Sequence, residues 1–204
     1  SYLRDNTAIV LSGIGIGAPN GNHYTGFIQD PPNLRWGNVD IVSLFKERFN
    51  CDVILTNDAN AAALGEKHYG AAKKMDDFIL ITLGTGLGSG IFSGGRLLYG
   101  HDGFAGEMGH MPIESEGRDC NCGNRGCLES YASARGIRKT VKELLNETPE
   151  DEFLQTIDEE SVDGLLIDDA FDAGNETAQK IYEYTGKKLG QGLALSLIHI
   201  SEPT

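Results

Sequence analysis

Positive charge is scarce in this chain. Its 204 residues carry 17 lysines and arginines against 30 aspartates and glutamates, a formal net charge of −13. Clustered Lys and Arg are what neutralise phosphates, so this balance argues against a nucleic-acid-binding surface in this portion. A neutral or metal-chelated small molecule is the better ligand class. Long apolar runs are missing too: none approaches the ~20 residues that span a bilayer, and a soluble cytoplasmic protein is the expectation. Only four cysteines occur, three of them within eight residues, which is not the dispersed pattern of a disulfide framework in a small secreted domain. No internal repeat or low-complexity tract is present. No Gly-Lys-Ser/Thr follows the glycine-rich turn at 84–90, so that turn is not a Walker loop.

Glycine, in contrast, is abundant: 27 residues of 204, about twice the usual share, which points to tight turns and close backbone approaches. With 40% hydrophobic residues the chain can bury the core of one or two domains. A strand is expected near Ile9 to Ile16, then a Pro- and Gly-rich loop through Asn38, a helix from Asp40 to Phe49 and a short strand from Asp52 to Leu55. The Ala-rich run from Ala59 to Tyr69 reads as a helix capped by Asn57 or Asp58. The apolar run Phe78 to Leu83 reads as a central strand, followed by the turn GTGLGSG at 84–90 and a strand through Phe92. Ser93, Gly94 and Gly95 then make a hairpin turn into Arg96 to Tyr99. Helices follow near Ser133 to Leu145, Val162 to Ala173 and Glu176 to Leu193, with an acidic loop from Glu147 to Glu160. Strands then helices, with polar residues at strand ends, indicate an α/β protein whose ligands sit at the carboxyl ends of its strands.

Chemistry concentrates in the stretch from Gly106 to Glu129, GEMGHMPIESEGRDCNCGNRGCLE. His110, Cys120, Cys122 and Cys127, with loop-forming glycines among them, can close a tetrahedral zinc site of the Cys3His type. A closed four-ligand site is structural, not catalytic. Reduced thiols clustered without a metal are the alternative, because Cys-x-Cys-x4-Cys is less diagnostic than paired Cys-x2-Cys motifs. Glu107 and Glu129 flank this cluster, and either alone reads equally as a solvated surface charge. In the turn after Phe78 to Leu83, Gly84, Gly86 and Gly88 allow backbone N–H groups to face an anion, with the Thr85 hydroxyl beside them; a plain tight hairpin is the other reading. Asp58 is the candidate base, a carboxylate kept anionic at a helix N-terminus, and Asn57 a candidate hydroxyl ligand. Both also read simply as helix caps.

The strings GIGIGAPNG, TNDANAAALGE, LGTGLGSGI, GFAGEMGH and CNCGNRGCLE, in that order, resemble the ROK family of bacterial sugar kinases and repressors, most closely its glucokinase-like members, over Ile14 to Ala194. The resemblance implies an actin-like ATPase (ribonuclease H-like) α/β sugar kinase fold. It also implies ATP-dependent phosphorylation of a hexose, with glucose giving glucose 6-phosphate. By this match Asp58 is the base on the sugar 6-hydroxyl, and Asn57, Glu107, His110 and Glu129 contact sugar hydroxyls. The turn with Gly84, Thr85, Gly86 and Gly88 binds the phosphates of ATP carried with Mg2+. His110, Cys120, Cys122 and Cys127 hold a structural Zn2+, which fixes the imidazole so that its other nitrogen can meet a hydroxyl. The implied layout is a remnant of a smaller N-terminal α/β domain over 1–57 and a larger C-terminal α/β domain over 58–194 with its zinc loop at 110–127. A homodimer is implied for the full-length protein.

Both ends depart from that pattern. The chain starts without Met and lacks an Asp-Gly-Gly-Thr phosphate loop before its first strand, and the Gly-rich adenosine segment expected after Ala194 is absent. Leu195 to Thr204, LSLIHISEPT, back-translates to a transposon-end adapter of sequencing libraries, so 195–204 is expected to be read-through; an ordinary amphipathic helix end is the alternative. The expectation is a fragment incomplete at both ends and poorly active as a kinase. Two other functions stay open: a sugar-responsive repressor whose helix-turn-helix head precedes this portion, and a zinc-stabilised sugar-binding module without catalysis.

Overall fold

The computed structural model describes residues 10–31, 35–158 and 164–200, with side chains to residue 196. The expected element starts at Ile9 and Val162, the end of the acidic loop at Glu160, and residues 201–204 fall outside these ranges. The chain forms two compact units, Ser1–Leu80 with Gly90–Gly106, and Ile81–Ser89 with Glu107–Thr204. The expected division after residue 57 falls within the first of them.

In the first unit β1 (Gly13–Gly17) leads through a small antiparallel pair, β2 (Phe27–Ile28) and β3 (Val39–Asp40), into α1 (Ile41–Arg48) and then β4 (Asp52–Thr56). β1 and β4 pair in parallel, Gly13 opposite Asp52 and Gly17 opposite Thr56. Parallel strands need a crossover connection, which this intervening segment supplies. Ile16 and Leu55 stand opposite one another in the register, and with Ala18, Ile28, Ile41 and Val42 they form the local core. Asp40 caps α1 by accepting from the Ser43 N–H at 3.0 Å, so the helix starts one residue later than its expected limit. α2 (Asp58–His68) follows β4 directly, burying Ala59, Asn60 and Ala63.

β5 (Phe78–Leu83), β6 (Leu87–Ser93) and β7 (Arg96–Leu97) form one sheet in that order, and β5 and β6 each contribute to both units. The expected central strand therefore stands at the end of the sheet among the described strands, and none of its residues is fully buried. An apolar run reports a capacity for burial, and among the described residues β5 has a strand neighbour on one side only. The hairpin after β6 turns as expected: Gly94 and Gly95 have φ of +56° and +74°, both in the left-handed region that a two-residue turn of this kind demands. Asp77 braces it, its Oδ1 accepting from the Gly94 N–H at 2.9 Å and the Ser93 hydroxyl at 3.0 Å. These bonds, that from Gly94 foremost, hold the Asp77 carboxyl below the usual range.

In the second unit a 3-10 turn at Met108–His110 opens a loop pinned by bridges between Pro112 and Cys127 and between Asp119 and Arg125. α3 (Glu129–Ala132) and α4 (Ala134–Glu147) follow, α4 capped by Ser133, whose hydroxyl accepts from the Gly136 N–H at 3.1 Å. The expected acidic loop contains a helix instead, α5 (Glu152–Gln155), with Asp151 as its cap. The reason is packing: Leu154 and Ile157 are buried with Val141, Ile167, Ala178 and Ile181, the last three from α6 (Gly164–Asp172) and α7 (Glu176–Ile200). Charge dominates the composition of that segment, but two apolar side chains suffice to fold it onto the core. Among the described residues no helix is long and apolar enough to cross a membrane.

Candidate functional site

Asn57 and Asp58 occupy the carboxyl end of β4, where an α/β protein places its ligand groups. Asn57 is the N-cap of α2: its backbone is extended (φ −61°, ψ 150°) and its Oδ1 accepts from the Ala59 N–H at 2.8 Å. That choice settles the capping question in favour of Asn57 and leaves its Nδ2 without a partner among the described residues. Asp58 is exposed, with Oδ1 near the same Ala59 N–H at 2.9 Å. Its Oδ2 has no partner among the described residues, so the carboxylate can take a hydrogen bond or a proton from a ligand hydroxyl.

The second unit brings the four metal-capable side chains together. The ligand atoms of His110, Cys120, Cys122 and Cys127 all lie within 4.8 Å of one another. Cys120 Sγ is 3.6 Å from His110 Nδ1, and Cys122 Sγ is 3.7 Å from Cys127 Sγ. Tetrahedral Zn–S and Zn–N bonds of ~2.3 and ~2.0 Å set neighbouring ligand atoms ~3.5–3.8 Å apart, the separation of the Cys120–His110 and Cys122–Cys127 pairs. All four cysteines of the chain are free of disulfides. Burial pushes the Cys127 thiol up to about 12, reinforced by Cys120 and Cys122. Cys122 moves down instead: burial raises it, but hydrogen bonds from the Asn124 backbone and the neighbouring thiols outweigh that. Three thiolates so close repel one another, and a divalent cation is the charge that would let them coexist. The geometry also selects the imidazole nitrogen. Nδ1 faces Cys120, and Nε2 has no partner among the described residues, which leaves it available to a ligand.

The glycine turn lies in this same unit. Gly84 N–H donates to Gly86 O at 3.0 Å and Ala134 N–H to Gly84 O at 2.9 Å. The Leu87 N–H, next in line, donates to Glu129 Oε2 at 2.9 Å. Gly86 permits that bond, because a Cβ there would overlap the Glu129 carboxylate, and Gly109 is needed because a Cβ would overlap Leu87 O. These glycines thus admit neighbouring groups as well as shaping a turn. Gly88, expected in the turn, sits instead within β6. The N–H groups of Thr85 and Gly86 and the Thr85 hydroxyl are the donors left without a partner among the described residues. Glu107 begins the 3-10 turn, is exposed, and accepts the His110 N–H on its backbone oxygen at 3.1 Å.

Residues that no motif singled out hold this loop in place. Arg118, its side chain 9% exposed, donates to Ser130 O and Gly136 O, both at 3.0 Å, to Thr140 Oγ1 at 2.9 Å and to Glu143. Lys188 pairs with Glu114, which also accepts from the Tyr131 hydroxyl at 2.9 Å. Sequence spacing carries no signal for these contacts, since they join the loop to helices 12 to 74 residues away.

The ROK family model matches residues 2–203. A xylose repressor of Caldicellulosiruptor bescii is 37% identical over 95% of this chain and 48% of its own length. A glucokinase of Halalkalibacterium halodurans is 40% identical over 90% of this chain and 57% of its own. Among solved structures, a ROK family glucokinase from Streptomyces griseus in complex with glucose and AMPPNP has a TM-score of 0.80 at 34% identity, covering 95% of this chain and 64% of that one. The chain spans about half the length of the curated relatives it matches. The expected α/β fold, that of the actin-like ATPase sugar kinases, is borne out by these likenesses. With a match that runs from residue 2 to residue 203 and relatives on both the kinase and the repressor side, this chain belongs to the ROK family.

Proposed function

We propose that the gene product carrying this chain is an ATP-dependent hexose kinase, most readily forming glucose 6-phosphate from glucose. The observation that carries this reading is Asp58, exposed at the end of β4 with one carboxylate oxygen open and Asn57 beside it as cap. A sensor needs no base at that position; a phosphotransferase does. Asp58 accepts the proton of the sugar 6-hydroxyl late in a loose phosphoryl transfer, when little nucleophile activation is required. Asn57 Nδ2, His110 Nε2, Glu107 and Glu129 orient the other hydroxyls, which supplies the positioning on which such transfer depends. Thr85 and the turn from Gly84 to Gly86, with Gly88 behind it, meet the phosphates of ATP, whose Mg2+ neutralises their charge. A Zn2+ held by His110, Cys120, Cys122 and Cys127 is structural and fixes the imidazole tautomer. The glucose and AMPPNP bound by the Streptomyces griseus relative support the substrate pair. A cytoplasmic homodimer completes the proposal.

One observation favours a second reading, the 37% identity to a xylose repressor across nearly the whole chain. The test is a hexose panel with ATP on the gene product, kcat/KM being compared between wild type and Asp58→Asn. Turnover that falls by roughly 10²–10⁴ in the variant supports the base role. Sugar binding without turnover, coupled to release from an operator, selects the repressor.

A further inference from the structure

We infer that Glu129 is a positioning residue that couples the hydroxyl-binding segment to the phosphate-facing turn, so that sugar and nucleotide bind cooperatively. This rests on the kinase reading above. The carboxylate has two oxygens with different surroundings: Oε2 accepts the Leu87 N–H at 2.9 Å, and Oε1 has no partner among the described residues. Leu87 itself is buried, the first residue of β6 and the immediate successor of the turn. Its carbonyl lies against Gly109, between Glu107 and His110, where no Cβ would fit. The neighbouring Ser89 hydroxyl accepts the Met108 N–H at 3.3 Å. The turn is thus clamped from two sides by the segment that carries the hydroxyl-binding candidates.

Consequences follow from the donor inventory. Gly84 and Leu87 N–H groups are engaged within the chain, so the donors left for phosphate are the N–H groups of Thr85 and Gly86 and the Thr85 hydroxyl. Their direction depends on Leu87 staying fixed to Glu129. A sugar hydroxyl donating to Oε1 immobilises the carboxylate, and through Oε2 it orders the turn before the nucleotide arrives. A ligand that finds its site already ordered binds more tightly, and linkage makes the effect reciprocal.

The experiment is calorimetric titration of AMPPNP into the gene product, with and without saturating glucose, for wild type, Glu129→Asp and Gly86→Ala. Amide exchange at 84–90 is followed in parallel. Glu129→Asp keeps the charge but is one methylene too short to serve both partners, and Gly86→Ala displaces the carboxylate while leaving it intact. In wild type, glucose is expected to tighten AMPPNP on the order of tenfold, a typical coupling. In both variants the ratio of AMPPNP affinities with and without glucose falls toward one and the Leu87 amide exchanges faster, whatever change each substitution makes to the affinity for either ligand alone. Binding of both ligands with no coupling in wild type, or with coupling unchanged in both variants, overturns the inference and leaves the kinase reading standing. Failure of wild type to bind either ligand overturns that reading and the inference with it.

Discussion

Arg118 and Tyr131 hold each other in two ways at once: the guanidinium lies 4.8 Å from the centre of the tyrosine ring, and the tyrosine hydroxyl accepts the Arg118 backbone N–H at 2.8 Å. The second bond fixes the loop just before Cys120, and the first fixes the helix that follows Cys127. The metal-capable cluster is therefore framed by protein contacts on both sides, whatever ion it carries.

Replacing Arg118 by alanine should be costly. It strips donors from Ser130 O, Gly136 O and Thr140, which water reaches poorly around a side chain only 9% exposed, and from the solvent-facing Glu143 carboxylate. A loss of about 2–4 kcal/mol in denaturant unfolding is expected, from acceptors left unsatisfied and a broken pair. Arg118→Lys should recover little, because one ammonium cannot span the four acceptors that the planar fork reaches.

Acid should weaken the same region through Glu114. Lys188 above all holds its carboxyl below the ordinary value of 4.5; burial opposes this, and the Tyr131 hydroxyl adds to the lowering. A depressed folded value means that the contribution is fully present above about 4.5 and is lost as pH falls through the folded value. Chemical unfolding followed from pH 6 to pH 3 should therefore show a decline below about 4.5. Glu114→Gln should be less stable at pH 6 and show a shallower decline. An identical slope in the two proteins would count against the assignment.

Zinc content should track the four ligands. Purified protein is expected to carry about one Zn2+ per chain, and Cys127→Ser should abolish it, while Cys51→Ser, remote in sequence from the cluster, should not. Chelation should lower the unfolding midpoint, since binding energy at such a site is folding energy. Metal analysis by emission spectrometry with parallel thermal scans measures both.

The placement of the candidate residues was far more legible in the sequence than the contacts that support them. Asn57, Asp58 and the His110, Cys120, Cys122 and Cys127 set sit in short motifs whose spacing maps onto a strand end and a loop, so local pattern suffices. Gly86 was readable as a glycine of a turn, yet its reason lies in Glu129, more than forty residues away in the chain. The same holds for Arg118 with Thr140 and for Lys188 with Glu114. α5 escaped for another reason: a four-residue helix in an acidic stretch has too few turns for a period to show, and its existence depends on Leu154 finding a core built by other helices. The apolar run of β5 marks it as a strand, but its place in the sheet is set by pairing, which composition does not report.

Asn57 offers the sharpest separation of structure from function, because its two amide atoms have different tasks. Oδ1 caps α2 through the Ala59 N–H, and Nδ2 is the donor available to a hydroxyl. Asn57→Asp keeps a capping oxygen and places a negative charge where the helix dipole favours one, so stability should stay within about 0.5 kcal/mol of wild type. The donor is lost, however, and hexose KM should rise about tenfold or more, the cost of one hydrogen bond to a ligand of this size. Asn57→Ala removes both atoms and should lose roughly 0.5–2 kcal/mol of stability as well. Measuring unfolding and hexose KM on both variants separates the tasks: an aspartate variant with unaltered KM would reduce Asn57 to a helix cap.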